Sequence, residues 1–372
     1  MSKKAIWLQS LVFLVFIGFF FLLNLFLPDK EFSEQENRKL QTAPAFSFSS
    51  LFSGKFTSDY ETYLTDQFPF RDRWISLKAR CELASGKDAN NGVYLCENET
   101  LLEAFEAPEQ ETLDSQLDAI DKLVGNTGAE VYFALIPSAS EIWRDMLPEG
   151  APNGSQKDVI DYAYDRVSAK TVDMYSALRG HAEESIFYRT DHHWTTLGAY
   201  YGYTALMDAM DLEALPLETY TAATVTESFY GTTYSSSGFS WVQPDSIQTY
   251  VEQGAVKITN YPEGKPVEGS LYVDSYLEVK DKYSYFYGGN TPLLQIETGT
   301  ADAPSLLIVR DSYMDSLSPF LFPHFSEIHI LDLRYYKASL KAYIEEHDID
   351  QVLVCYSVPN FVTDINVFLA GR

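Results

Sequence analysis

Ser305-Leu306-Leu307-Ile308-Val309-Arg310-Asp311-Ser312-Tyr313 is the stretch that decides the fold of this chain. Leu306 to Val309 is uninterrupted apolar sequence, the pattern of a strand buried on both faces of a parallel sheet. A polar turn follows, and then the expected start of a helix. Similar apolar runs stand at Glu130 to Pro137, Glu327 to Leu331 and Gln351 to Tyr356. Helical patterns lie among them: Glu109 to Leu123, Gln156 to Ala177, Trp194 to Met210 and Lys337 to Glu346. Strands alternating with helices predict an α/β fold, a parallel sheet covered on both sides. Ser138 to Trp143 is expected to be a loop, and Gly92-Val93-Tyr94-Leu95 with Thr100 to Glu103 a hairpin. No period of roughly 20 to 50 residues repeats, which excludes a solenoid.

The 372 residues are 46% hydrophobic, ample for a packed core. Aromatics reach 15%, a composition that suits either a tyrosine-rich core or contacts to sugars. The formal net charge is −26, so phosphate backbones would be repelled and nucleic acid is not an expected partner. Cys81, Cys96 and Cys355 are too few for a disulfide framework, although Cys81 and Cys96 could pair. Cys355 lies in an apolar run and reads as a core residue. No cysteine or histidine spacing suggests zinc.

Ala5 to Leu27 is a run of 23 uncharged residues. As a helix it would extend about 35 Å, enough to cross a hydrocarbon layer of about 30 Å. Lys3 and Lys4 precede it and acids follow it, which predicts a cytoplasmic N-terminus and an extracellular remainder. No small-x-small cleavage site follows, so an uncleaved, single-pass signal anchor is expected. The chain is thus divided into a stub and anchor over 1–28, a stalk and docking segment over 29–80, and a catalytic domain over 81–372. Within the last, residues 215–290 are rich in Thr, Tyr, Ser and Gly. They read as an insertion of loops and short antiparallel strands, including Tyr272-Val273-Asp274 and Leu277-Glu278-Val279.

Two clusters carry candidate chemistry. In Asp191-His192-His193-Trp194-Thr195 an acid and two of the chain's six histidines stand together. Ser312 stands at the carboxyl end of a strand, where open α/β sheets bind ligands. A serine hydroxyl becomes nucleophilic when a base takes its proton, and His193 suits that task near neutral pH. Asp191 would fix the tautomer of His193 and stabilise its charged form. Plainer readings stand beside these: Asp191 as a helix cap, and Ser312 as another. A metal held by Asp191, His192 and His193 is disfavoured, because neighbours on a strand point to opposite faces.

The Asp-His-His-Trp-Thr block resembles the signature of the DHHW family, relatives of the alginate O-acetyltransferases of the AlgJ and AlgX type. Glu36-Asn37-Arg38, Asp66-Gln67-Phe68-Pro69-Phe70-Arg71, Gly288-Gly289-Asn290, Arg310-Asp311-Ser312-Tyr313 and Asp332-Leu333-Arg334-Tyr335-Tyr336 extend the resemblance. It implies a three-layer, SGNH-hydrolase-like fold and a Ser312–His193–Asp191 triad, with Arg310 standing where the usual Gly-Asp-Ser block has glycine. It further implies oxyanion or substrate contacts from Gly289, Asn290, Arg310 and Tyr313, unless the glycine block is a simple turn. His192, Trp194 and Arg334 would be supporting residues, Arg334 through a buried ion pair or by orienting an acid or substrate. The implied activity is a membrane-anchored O-acetyltransferase acting through an acyl-serine on a cell-surface or secreted polysaccharide. Its acyl donor would come from a membrane-bound O-acyltransferase, and no cofactor or metal is implied. A carbohydrate esterase, or a non-catalytic cell-envelope binding or assembly protein, are the alternative readings.

Overall fold

The structure, a computed structural model, describes residues 2–252 and 254–372. The chain divides into two units, one of residues up to Asn91 with Tyr234–Trp241, the other of Gly92–Thr233 with Val242–Arg372.

The first unit begins with helix α1 (Lys3–Phe26), capped by the Ser2 side chain. None of its residues is buried, and it is long and apolar enough to cross a membrane. The stretch 32–48, within the expected stalk and docking segment, contains a short antiparallel pairing of Phe32–Ser33 with Arg38–Lys39. An ion network pins it. Arg38 reaches both oxygens of Asp66 at 2.5 and 3.0 Å, and Arg71 grips Glu36 with both terminal nitrogens. The Gln41 N–H also donates to Asp66, at 2.8 Å. The Glu36-Asn37-Arg38 and Asp66-to-Arg71 blocks are therefore two halves of one structural clamp. Bidentate geometry gives such a clamp direction as well as energy.

The second unit is built on a mixed sheet. Its strands are β1 (Glu130–Ile136), β2 (Lys170–Val172), β3 (Lys257–Asn260), β4 (Val267–Glu268), β5 (Leu293–Glu297), β6 (Ser305–Arg310), β7 (Glu327–Leu331) and β8 (Gln351–Ser357). Among the described residues the order is β4-β3-β5-β7-β6-β8-β1-β2. The strands β7, β6, β8, β1 and β2 run parallel, whereas β5, β3 and β4 add antiparallel at one edge. The expected parallel sheet is present in β7, β6, β8, β1 and β2. β5 extends it antiparallel, and β3 and then β4, which come from the 215–290 segment, pair on beyond β5 rather than staying apart as an insertion. Strand alternation sorts the core into two faces. Leu306, Ile308, Leu353 and Cys355 face helix α2 (Thr196–Ala209), while Leu307, Val309, Val352 and Val354 face Gln110–Asn126 and Leu340–Glu346. Helices on both faces make three layers.

Other local differences have local causes. Gln156–Ala177 is not one helix. It stops at Arg166 and β2 follows, where Tyr164 donates its hydroxyl to Val172 O at 2.8 Å. The β-branched Thr171-Val172 pair suits that strand. Ser138–Trp143 holds a short helix over Ala139–Ile142. Asp274–Glu278 winds into a 3-10 helix rather than a strand. The three cysteines are free thiols, and Cys355 is buried in β8.

Candidate active site

The Asp191 block sits in a tight reversal. Phe187 and Trp194 bridge antiparallel, and the N–H of Tyr188 donates to His193 O at 3.2 Å. The His193 N–H turns back to Asp191 Oδ1 at 3.0 Å, an aspartate turn. Asp191 is therefore not the cap of the next helix. Thr195 caps α2, its hydroxyl accepting from the Gly198 N–H at 3.2 Å.

The reversal brings three distant residues into one line. His193 Nδ1 lies 2.5 Å from Asp191 Oδ1, and His193 Nε2 lies 2.7 Å from Ser312 Oγ. Asp191 and His193 are both buried. The other Asp191 oxygen accepts from the Thr232 N–H at 2.8 Å and its hydroxyl at 3.1 Å. Burial alone would raise the Asp191 pKa. The neighbouring His192 and His193 imidazoles and these hydrogen bonds outweigh it and hold the carboxyl well below the usual range. Burial, followed by the proximity of His192, holds His193 below the ordinary imidazole value, against the opposite pull of Asp191. An ionised Asp191 thus keeps the proton on Nδ1 and leaves the Nε2 lone pair facing the Ser312 hydroxyl.

Ser312 lies two residues past the end of β6, ahead of the short helix α3 (Met314–Leu317). Asp311 holds this turn in place. Its Oδ1 accepts from the Tyr313 N–H at 3.1 Å. Its Oδ2 accepts from the Ser357 N–H, the Ser357 hydroxyl and Asn360 Nδ2 at 2.8, 2.7 and 2.8 Å. These belong to the end of β8 and to helix α4 (Val358–Thr363). The Ser312 N–H has no protein acceptor among the described residues.

The remaining expected site residues fall into two groups. Trp194 Nε1 donates to Tyr313 O at 2.9 Å and to Ser316 Oγ at 3.1 Å, tying the histidine segment to the serine turn. The Tyr313 hydroxyl donates to His192 O, so the tie is made twice. His192 Nδ1 meets the Thr232 hydroxyl at 2.5 Å, extending the chain of contacts that ends on Asp191. The second group turns elsewhere. Arg310 is buried, paired with Asp315 at 2.9 Å and donating to Asn290 Oδ1 at 2.8 Å. Burial pushes the Asp315 carboxyl up to about 7 against the pull of Arg310. Gly288 and Gly289 have φ of 79° and 89°, the left-handed turn expected of a glycine pair. Arg334 holds Asp332 at 2.7 Å, the ion-pair role.

Three contributors carried no usable sequence signal. Tyr283 stacks flat on His193 at 3.7 Å, one of 26 tyrosines. Gly231 leaves room for Asp191, because a β-carbon there would stand 2.2 Å from Asp191 Cβ. Asn360 lines, with His192, Tyr313, Ser140 and Asp191, a cavity of about 100 Å³.

The expectation that His192 and His193 diverge is corrected. The segment is bent rather than extended, and the rings lie 3.9 Å apart. One ligand atom each from Asp191, His192 and His193 lies within 4.8 Å of the others. Both His193 nitrogens and both Asp191 oxygens already have protein partners, so a metal would have to displace the serine or acid contacts.

The model of the family described as DHHW protein matches residues 109–331. A crystal structure of a DHHW family protein from Eubacterium siraeum is similar, with a TM-score of 0.67 and 26% identity over 75% of this chain and 95% of that one. Bacillus cereus PatB1 shares the fold at a TM-score of 0.61 and 19% identity, over 74% of this chain and 98% of its own. Among curated relatives, the probable alginate O-acetylase AlgJ of Pseudomonas syringae pv. tomato is 23% identical over 162 residues, 41% of each chain. Its Pseudomonas putida counterpart is 24% identical over 178 residues, 45% of this chain and 46% of that protein. The match spans less than half the length of either relative.

Proposed function

Because the chain belongs to the DHHW protein family, we propose that it is an O-acetyltransferase acting on a polysaccharide through an acyl-Ser312 intermediate. The observation that carries this reading is the unbroken hydrogen-bond line from Asp191 through His193 to Ser312 Oγ. The names of the curated relatives support the reaction class.

In this mechanism His193 Nε2 takes the Ser312 proton as Oγ attacks the carbonyl carbon of an acyl donor. The carbonyl oxygen becomes an oxyanion, for which the free Ser312 N–H is a suitable donor. Ionised Asp191 stabilises the imidazolium that forms. Collapse expels the leaving group, which takes the proton from His193, and leaves Ser312 acylated. A sugar hydroxyl then gives its proton to His193 Nε2 and attacks the ester. Collapse of the second tetrahedral species returns that proton to Ser312 Oγ and releases the O-acetylated glycan. With water in place of the sugar the same steps hydrolyse the ester.

Helix α1 would anchor the chain as a single-pass membrane protein with the catalytic unit outside, where an exported polymer is accessible. The acyl donor would then reach Ser312 by way of a membrane-bound O-acyltransferase. The test is acetyl transfer by the full chain in detergent, given an activated acetyl ester and a soluble glycan. O-acetylated glycan is expected from the native chain and none from Ser312→Ala. Equal product from both would end the proposal.

A further inference from the structure

A cleft of about 840 Å³ runs beside the Phe187–Trp194 reversal, and neither Ser312 nor His193 is among its lining residues. That volume lies at the upper end of ordinary ligand sites, roughly 300 to 1,000 Å³, and is large enough for several sugar rings. The half-buried Trp143 forms part of its wall. Tyr188, Thr195 and Thr196 belong both to this wall and to the segment that carries Asp191 and His193. A polymer lying in the cleft would therefore be held by the element that positions the histidine.

The charges on this wall are unequal. The acids are Asp145, Glu183, Glu184 and Asp245, and the bases are Arg179 and Arg189. Both arginines are already engaged. Arg179 pairs with Asp145 at 3.0 Å and donates to Ile142 O. Arg189 donates to Asn98 O at 3.1 Å and to Pro244 O at 2.9 Å, and lies 3.3 Å from Asp245. Asp145 remains 84% exposed, and Glu183 is exposed with no ion pair among the described residues. Over the whole chain 27 Lys and Arg stand against 53 Asp and Glu, so the −26 field repels anions at a distance as well.

We propose that this cleft holds the acceptor chain and that the acceptor is a carboxylate-free glycan, neutral or amine-bearing, rather than a polyuronate. The proposal rests on the polysaccharide reading above and narrows its substrate. A polyuronate carries a carboxylate on every sugar, and its binding calls for cationic groups free to receive them. Of the four acids here, Asp245 is buried against Arg189, and Glu184 meets His181 and Tyr201. Asp145, though paired with Arg179, is exposed, and Glu183 has no ion pair among the described residues. Exposed carboxylates accept hydrogen bonds from sugar hydroxyls and attract an ammonium. Like charges placed together also reject the wrong polymer. Alginate, the polymer in the names of the curated relatives, is a polyuronate. The acceptor here would belong to a different class.

The experiment is calorimetric titration of the full chain in detergent with two probes of equal length. One is a partly de-N-acetylated chito-oligosaccharide and the other an oligomannuronate. The chito-oligosaccharide is expected to bind at least about tenfold more tightly, and the Asp145→Lys/Glu183→Lys double variant to erase that preference. Equal or tighter uronate binding, a preference that survives the double substitution, or no binding of the chito-oligosaccharide would each overturn the proposal. A preference intact in both the native chain and Ser312→Ala, with no acetyl transfer by the native chain, would remove the enzyme reading alone. Transfer without the preference would remove this one alone.

Discussion

The imidazole of His193 lies against the phenol of Tyr283, ring centroids 3.7 Å apart and planes 10° from parallel. The hydrogen bonds to Asp191 and Ser312 fix which nitrogen carries the proton, and the stack fixes the plane of the ring. The Tyr283 hydroxyl is itself held, reaching Ser316 Oγ at 3.2 Å and Ser312 O at 3.3 Å. One aromatic side chain therefore contacts both the proposed base and the backbone of the proposed nucleophile.

Tyr283→Leu should loosen the His193 ring and let water reach it. The expected result is a rate lower by up to about a hundredfold, the scale of a misplacement of 1 Å. The acid limb of the pH–rate profile should also move up toward the ordinary imidazole value. Tyr283→Phe keeps the stack and should leave that limb in place, with a stability loss of about 1 kcal/mol. An unchanged profile in the leucine variant would show that the stack does not govern His193.

The native pH profile follows from the direction of the His193 shift. The base must be neutral, and its folded-state pKa lies below the ordinary value of about 6.5. Activity should persist on acidification past that value and fall only as pH drops through the lowered one. The stability term has the same sign. Between the two values the unfolded chain binds more protons than the folded one, so stability increases with pH there. The contribution is complete above about 6.5 and is lost as pH falls toward the folded-state value. Parallel rate and thermal-melt series check this, and an acid limb above 6.5 would contradict it.

Gly231→Ala should be damaging despite its small size. The new β-carbon would stand 2.2 Å from both Cβ and Oδ2 of Asp191. A stability loss of about 1 to 3 kcal/mol is expected. A rate loss approaching about a hundredfold should accompany it as the carboxylate moves off His193. Denaturant melts and kcat measurements on the same sample test both, and native values for the variant would show that Asp191 tolerates displacement.

Trp194→Phe removes the donor shared by Tyr313 O and Ser316 Oγ. Both acceptors are buried, so a loss of about 1 to 3 kcal/mol is expected in denaturant unfolding. A variant as stable as the native chain would mean that the indole N–H is not the tie between the two segments.

The parallel strands and the serine turn were legible because their signals are local. Leu306–Val309 can only be buried, and Arg310-Asp311-Ser312 must follow at the strand's end. The antiparallel strand β5 was not legible. Its pairing with β7 depends on a partner more than thirty residues away, and no local pattern records it. Lys170–Val172 is too short to interrupt a helical periodicity in the sequence, yet it completes the parallel sheet beside β1. At the site, Asp191 and His193 stood out as rare residue types side by side. Gly231 did not, because its role is to leave space. Tyr283 did not, because its role is an orientation of one ring against another. That the candidate contact residues Arg310 and Asn290 bond to each other was not legible either, because the pairing is set by tertiary contact.

In the proposed mechanism Ser312 carries the acyl group. The direct measurement is mass spectrometry of the full chain quenched early after mixing with an activated acetyl ester and no glycan. One acetyl group is expected, mapped by peptide fragmentation to Ser312, that disappears when acceptor is added and never forms in Ser312→Ala or His193→Ala. Turnover without acetylated Ser312, or an acetyl group that maps to another residue and still passes to the acceptor, would contradict it.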